Sequence, residues 1–398
     1  MEEMIAFTNA EKSQHGVNAQ NNLESILAYC GEKGYISAYV KNYRVGKAGY
    51  ANEEQFYAPF LIEFSNGEKW LIFSTTSMRT DRIKGQQWDA INLKEIDHSI
   101  TKAYLVYSDG VGEHDKAEFE RQHQKYISGY EYSAIDGVIN QDTLYNFIET
   151  TALSDLNAGQ IKDIQGRGFE DRVAAVLSAT ENIAKWKTNA PTLVGYHYAM
   201  FEAIVEKLGL SPETTIDIAA TASKAEIGRL PSGGNPKTDI LITVQCEDMT
   251  RIFGISCKRS SDTSVSVHQY TADSFANVLN PEDEELRLLL NGFQQYGNLR
   301  DFGEENCARL TEALRPYRHK LAKWVLGGIF GDGDQDRQWA THILTYDNND
   351  SSVTIHTIQE YVYLLDEANV QGHFGTFFNW TYPSKRRGQS IQLKCKIL

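Results

Sequence analysis

Asp239 and Lys258 stand nineteen residues apart in the stretch GGNPKTDILITVQCEDMTRIFGISCKRSS, which runs from Gly233 to Ser261. A turn-rich opening precedes two runs of mixed apolar and polar residues, Ile240 to Val244 and Arg251 to Cys257, read as neighbouring strands. The aspartate falls at the start of the first and the lysine at the end of the second. Such a pair suits phosphodiester hydrolysis. The carboxylate gives an oxygen to a divalent ion such as Mg²⁺ that activates water, and the lysine orients that water or offsets transition-state charge. The pattern is D…(D/E)-x-K, preceded by Pro236, but the residue two before Lys258 is Ser256 and not an acid. The backbone carbonyl of Cys257 and a water held by Ser256 would fill out the metal shell, with Glu170 on a preceding helix as a further carboxylate. The plain alternative makes Asp239 and Lys258 solvated charges at strand ends.

The elements that must hold this pair are legible in outline. One helix is expected over Asn21 to Lys33, followed by strand-like runs in YISAYVKNYRV, YAPFLIEFSNGEKWLIFSTTS and KAYLVYSDG. Asn66-Gly67 between two apolar runs is a hairpin signal. A helix is expected from about Gln86 to Ile100. The pattern changes near ETTALSDLNAGQIKD, which divides the chain into an N-terminal α/β domain over 1–155 and a second domain over 156–398. In the second, GFEDRVAAVLSATENIAKW reads as a helix with Phe169, Val173, Val176 and Leu177 on one face, and another helix spans Tyr198 to Lys207. Helical patterns are expected at about 267–278, 283–294 and 307–326, and strands in THILTYD, SSVTIHTI and IQLKCKI. The result is an α/β fold with helices on the faces of a sheet. No internal repeat is visible.

Composition narrows the class. The chain has 398 residues, 41% apolar and 23% charged, which suits a soluble protein of two or three domains. No apolar run is long enough for a membrane helix, and the opening MEEMIAFTNAEKSQHG has no signal-peptide core, so a cytoplasmic protein with no membrane partner is expected. Five scattered cysteines without a CxxC pair point away from disulfides and zinc. The net charge of −14 counts against a general affinity for nucleic acid, yet Lys385, Arg386, Arg387, Lys394 and Lys396 make the C-terminal end basic.

Four blocks, GGNPKTDI, ISCKRSSDTSVSVHQY, LTEALRPYRHKLAKW and FGTFFNWTYPSKRRGQSIQLK, resemble in sequence and order the MspI-type restriction endonucleases. Those are enzymes of the PD-(D/E)XK fold that cut duplex DNA at CCGG. The resemblance covers about residues 160–398. It implies a PD-(D/E)XK core, a central mixed sheet flanked by helices, with a smaller N-terminal α/β domain added. It further implies a Mg²⁺-dependent type II site-specific deoxyribonuclease acting on double-stranded DNA, with a companion cytosine methyltransferase. Asp239, Lys258, Ser256 and Glu170 match the catalytic positions, and the neutral Ser256 stands where a family member has Asn. Ser266, Thr381, Ser384, Gln392 and Lys394 match residues that face the major groove. Lysine suits guanine, and serine, threonine and glutamine suit either base of a pair. Arg259, Arg386 and Arg387 suit phosphate contacts. His197, His268, Trp380 and Tyr382 are read as structural.

The N-terminal domain lacks this guide. Glu63 and Ser74-Thr75-Thr76 suggest a worn nuclease-like hairpin without its lysine, so no catalysis is expected there. Arg79, Arg82 and Lys84 beside Gln86, Gln87 and Trp88 form a possible grip on a DNA backbone, or a solvated loop. Two other activities fit the sequence as a whole: a catalytically weak sequence-specific DNA-binding protein, motivated by Ser256, and a nicking or repair nuclease with relaxed sequence choice.

Overall fold

The computed structural model describes residues 9–48, 51–76, 80–107, 121, 133–188, 195–260, 264–347, 352–383, 386–396 and 398. Ser384, Arg79 and Lys385, singled out above, lie outside them. The chain divides into two units, Met1–Gln165 with Ala179–Glu202, and Gly166–Ser178 with Ala203–Leu398.

In the first unit, α1 (Asn9–Glu32) leads into β1 (Ala38–Ala48), β2 (Ala51–Glu63) and β3 (Lys69–Thr75). Helix α2 (Thr80–Ile96), β4 (Ile100–Tyr107), β5 (Gly137–Asn140) and α3 (Gln141–Ala152) follow. The sheet order is β1-β2-β3-β4-β5. The first three strands are antiparallel, and β4 and β5 run parallel to β3. Period-two alternation explains the layering. Trp70, Ile72, Tyr104 and Val106 pack with Leu23 and Leu27 of α1 and Leu144 and Ile148 of α3. Their neighbours Leu71, Phe73, Ala103 and Leu105 pack with Ile83, Ala90 and Leu93 of α2. The hairpin turn uses Gly67 at φ 83°, a left-handed backbone that glycine adopts without steric cost.

Four expectations change here. Helix α1 begins twelve residues before Asn21, because its first half is polar and carries no apolar stripe. Helix α2 ends at Ile96 rather than Ile100, since Ile100 pairs with Lys69 in the sheet. Glu63 pairs with Lys69 at the turn end of the hairpin, at the opposite end of β3 from Ser74 and Thr75, so no nuclease-like cluster forms around it. Gln87 faces inward. Its amide donates to Ser133 Oγ at 2.7 Å and accepts from the backbone N–H of Ala134 at 2.9 Å. It braces the entry to β5 and is not available to grip a ligand.

The second unit takes the end of α4 (Ala158–Ser178) and of α6 (Tyr198–Lys207), with α5 (Thr180–Thr188) between them belonging to the first unit. It continues through β6 (Thr215–Thr221), α7 (Lys224–Ile227), β7 (Ile240–Cys246), β8 (Thr250–Ser260) and β9 (Ser264–Tyr270). Then come α8 (Ala272–Leu279), α9 (Glu284–Tyr296), α10 (Leu299–Phe302), α11 (Glu304–Leu314) and α12 (Arg318–Gly327). It closes with β10 (His342–Asp347), β11 (Val353–Thr357), α13 (Ile358–Glu367), β12 (Phe378–Thr381) and β13 (Ile391–Lys396). Five strands form the central mixed sheet in the order β11-β10-β8-β7-β6, and β12-β13-β9 form a second, three-stranded sheet. The predicted helix over 267–278 begins as strand, because Ser264 to Tyr270 pair with β13, and is helical from Ala272 onward. The predicted helix over 307–326 breaks at a 3₁₀ turn, Arg315–Tyr317, where Pro316 cannot donate to a continuous helix.

Strands β6, β7 and β8 are antiparallel and β10 runs parallel to β8. That repeats the order and directions of β1, β2, β3 and β4, a duplication of topology of which the sequence shows only the nuclease-like hairpin of β2 and β3. Gly254 in β8 is closely approached by its neighbours. A Cβ there would lie 2.5 Å from Thr238 Oγ1 and 2.6 Å from the Trp339 carbonyl. Gly254→Ala is therefore expected to cost about 1–3 kcal/mol through overpacking against backbone, measured by urea unfolding. An unchanged midpoint would show that the 338–340 segment can retreat.

Candidate active site and reading face

The active-site geometry follows from a mismatch in strand length. Ile240, the first residue of β7, pairs with Ile255, so β8 continues past β7 from Ser256 onward. On its other edge β8 still pairs with β10 through Ser260. The N–H of Cys257 thus has no β7 carbonyl to meet. Asp239, just before β7, supplies the acceptor: its Oδ2 takes the Cys257 N–H at 2.8 Å, and its own N–H donates to the Ile255 carbonyl at 2.8 Å. Ser256 and Lys258, two apart on a strand, share a face. Lys258 Nζ lies 3.4 Å from Asp239 Oδ2, 2.9 Å from Ser256 Oγ and 2.7 Å from the Cys257 carbonyl. Ser256 is fully buried and its hydroxyl lies 3.4 Å from the same Asp239 oxygen.

Glu170 joins this cluster from α4. Its Oε2 lies 3.2 Å from Lys224 Nζ, and Lys224 Nζ lies 3.6 Å from Asp239 Oδ1. Burial, then the charge of Asp239, pushes the Glu170 carboxyl up to about 7, with Lys224 acting against the shift. Burial pulls the Lys224 ammonium down, but Asp239 and Glu170 outweigh it and leave the pKa above the ordinary lysine value. Burial and the Asp239 and Glu170 charges push the Cys257 thiol well up, so the thiol stays protonated and leaves only its backbone carbonyl to offer. Sequence reasoning missed Lys224. Its partners lie fifteen and fifty-four residues away, and no local pattern links them.

Beside the pair opens a cleft of about 610 Å³, lined among others by Pro236, Lys237, Asp239, Lys258, Gln269 and Arg386. Lys237 was also missed as an individual. It donates to the Val267 carbonyl at 2.5 Å, and burial, then the Lys258 charge, lowers its pKa to about 7. The residue as a whole keeps some exposure, but its ammonium is turned into the protein.

The three-stranded sheet gathers the residues matched to base reading. Gln392 and Lys394 lie on the outer face of β13, while Ile391, Leu393 and Cys395 are buried in the core. Thr381 pairs with Gln392, and Lys394 pairs with both Asn379 and Ser266. Gln392 Nε2 donates to Ser266 Oγ at 2.7 Å. Four of the five therefore share one surface. The arginines diverge. Arg386 lines the cleft. Arg387 is tied to the Tyr296 carbonyl at 2.8 Å and to Asp301, and Arg259 lies over the Tyr346 ring at 5.5 Å. His268 is buried and stacked on Tyr270, and Trp380 is buried among aromatic rings. In the first unit His197 is buried against Asp142.

Among the described residues no group of three or more His, Cys, Asp and Glu side chains converges as a metal site. The donors present are the two carboxylates and the Cys257 carbonyl. All are hard oxygens of the kind Mg²⁺ takes, and a cation, Lys224, already sits between the carboxylates. The donor set fits a divalent ion that completes its shell with water and phosphate oxygens.

A mixed sheet with an acid-lysine pair where β8 overruns β7 is the framework of a restriction endonuclease. The family model described as "Restriction endonuclease MspI" matches residues 145–395, and the chain belongs to that family. It is a type II, site-specific deoxyribonuclease. It is 29% identical to the type II restriction enzyme BsuFI of Bacillus subtilis over 359 residues, 87% of this chain and 88% of that protein. That match is longer than the 145–395 span, so part of the first unit is shared with this relative. It is 26% identical to the type II restriction enzyme MspI of Moraxella sp over 261 residues, 63% of this chain and 97% of that protein. The fold matches a crystal structure of restriction endonuclease MspI in complex with its cognate DNA. The TM-score is 0.53 at 24% identity, over 63% of this chain and 98% of that one. Among the described residues no helix is long and apolar enough to cross a membrane.

The raised Glu170 pKa has a definite sign. The folded chain holds this proton more tightly than the unfolded chain, whose Glu titrates near 4.5. The stability gained is full below that pH and is lost as pH rises to about 7. Glu170→Gln removes this loss. Its stability relative to the parent is expected to rise by roughly 1–3 kcal/mol from pH ~5 to pH ~8 in EDTA, read from denaturant midpoints. A pH-independent difference would refute a buried, proton-binding Glu170.

Proposed function

We propose that the chain is a Mg²⁺-dependent endonuclease that hydrolyses both strands of duplex DNA at CCGG, or at a longer site containing it. The observation that carries this reading is the Lys258 ammonium 3.4 Å from Asp239 Oδ2 at the wall of a cleft that Arg386 also lines. Asp239, Glu170 and the Cys257 carbonyl would hold the ion, which supplies an activated water and offsets phosphate charge. Lys258 orients that water and faces the developing negative charge. Ser256, buried and hydrogen-bonded to Lys258, fixes the lysine's direction rather than adding charge. Arg386, with Arg259 and Arg387 in lesser roles, meets phosphates.

Ser266, Thr381, Gln392 and Lys394, joined by Ser384, read base edges from one strand-built surface. Residues 156–398 act as the endonuclease domain, and 1–155 as an accessory unit that reads flanking DNA. Such an enzyme needs a companion cytosine methyltransferase to protect host DNA, and it works in the cytoplasm. That the MspI crystal structure is a complex with its cognate DNA supports DNA as substrate.

The experiment is a digest of unmethylated plasmid with purified protein and MgCl₂, with fragment ends sequenced. Ends at every CCGG are expected, and ends at a subset would assign extra bases to the N-terminal unit. Bound but uncut DNA would favour a catalytically weak binding protein instead. Lys258→Ala should lower cleavage by about 10²–10³-fold or more and leave gel-shift affinity nearly unchanged. Full activity would remove Lys258 from the mechanism. Lys394→Ala should cost about 1–3 kcal/mol of discrimination for the cognate site, measured by competition gel shift. Equal weakening on every duplex would make Lys394 a phosphate contact.

A further inference from the structure

Lys224 belongs to no motif, yet it is the most pointed charge in the site. It opens α7, a four-residue helix after β6. Its side chain is 46% exposed, although its ammonium reaches inward to Glu170 Oε2 at 3.2 Å and Asp239 Oδ1 at 3.6 Å. The other oxygen of Asp239 is taken by the Cys257 N–H and by Lys258. The two lysines thus divide one carboxylate between them, and Oδ1 is the oxygen that points with Glu170 into shared space.

We infer that Lys224 is a positioning residue that competes with the divalent ion: its ammonium and the ion are alternative occupants of the oxygen pair formed by Glu170 and Asp239. This inference rests on the metal-dependent reading above. An ion bonded to both oxygens would sit within a few ångströms of an ammonium bonded to the same two, and like charges that close repel strongly in a partly buried site. The ammonium must then swing away. Its four-methylene stem and half-exposed position allow that. With no ion, Lys224 neutralises two carboxylates that would otherwise repel, and so keeps the pair together. Its cost is a higher ion concentration for loading. A DNA phosphate entering the cleft adds negative charge that favours the divalent ion over the monovalent ammonium, so loading is coupled to the arrival of substrate.

The test is calorimetric titration of MgCl₂ into the full chain without DNA, about two pH units above the Glu170 pKa, so that this carboxyl is ionised. Lys224→Met is expected to bind Mg²⁺ on the order of tenfold more tightly than the parent. Lys224→Arg keeps the charge and should bind like the parent. A merely structural lysine would weaken or leave unchanged the affinity when removed, so equal or weaker binding by Lys224→Met overturns the inference. Should Lys224→Met not fold by circular dichroism, Lys224→Gln carries the same expectation and the same refutation. Asp239→Asn separates the two levels. If it abolishes binding while Lys224→Met leaves affinity unchanged, competition fails and the metal site stands. If Asp239→Asn binds Mg²⁺ as before, the metal reading itself falls, and the inference with it.

Discussion

One unmet backbone hydrogen bond organises the site. Strand β8 runs past the start of β7 while still paired with β10, and the Cys257 N–H is left facing a gap. A buried N–H without an acceptor costs about as much as a lost hydrogen bond. The Asp239 carboxylate fills that gap, and in doing so is held at a fixed distance from Lys258 and Ser256 on the overrunning strand. The geometry of the candidate site is a by-product of completing a sheet: Asp239, just before β7, is held to β8 by two hydrogen bonds.

The three-stranded sheet is tied to this frame by polar links, among them Tyr270 Oη to the Asn235 carbonyl and one from Lys237. Lys237, two residues before Asp239, donates to the carbonyl of Val267 in β9, between Ser266 and His268. Burial of that ammonium is unfavourable and lowers its pKa to about 7, a cost met by the strong hydrogen bond. The rest of the sheet is held from behind by apolar packing: Ile391, Leu393 and Cys395 alternate with Gln392 and Lys394 and sink into a core with Phe275, Phe293 and Trp324. The alternation presents the polar set outward as one plane.

The first unit carries the same order and directions of four strands, preceded by a helix and with a helix between the last two. Its strand β3 ends on Ser74 and Thr75 where the second unit has Lys258 at the end of β8. The architecture is shared and the charges are not. The amino-acid pattern signals that likeness only in the hairpin of β2 and β3, since strand order and direction are properties of pairing rather than of composition.

The local features of the site were legible in the residues. Asp239 and Lys258 could be singled out because the blocks around them resemble the MspI-type endonucleases; the pair alone also suits two solvated charges at strand ends. The alternation in IQLKCKI announced which face of β13 would point outward. Other features needed tertiary structure. The helix expected over 267–278 forms from Ala272 onward, and only its start yielded to β9, because pairing with β13, more than a hundred residues away, outweighs local helical preference. Glu63 could not be ruled out of a cluster until register placed it opposite Lys69. Lys224 had no sequence signal at all, because its role comes from meeting Glu170 and Asp239 through the fold. Sequence by itself determined which residues carry charge, which faces are apolar and where the chain must turn, since these depend on neighbours in the chain. Only the tertiary structure decided which charges meet, because Coulomb and hydrogen-bond energies depend on distances set by strand register.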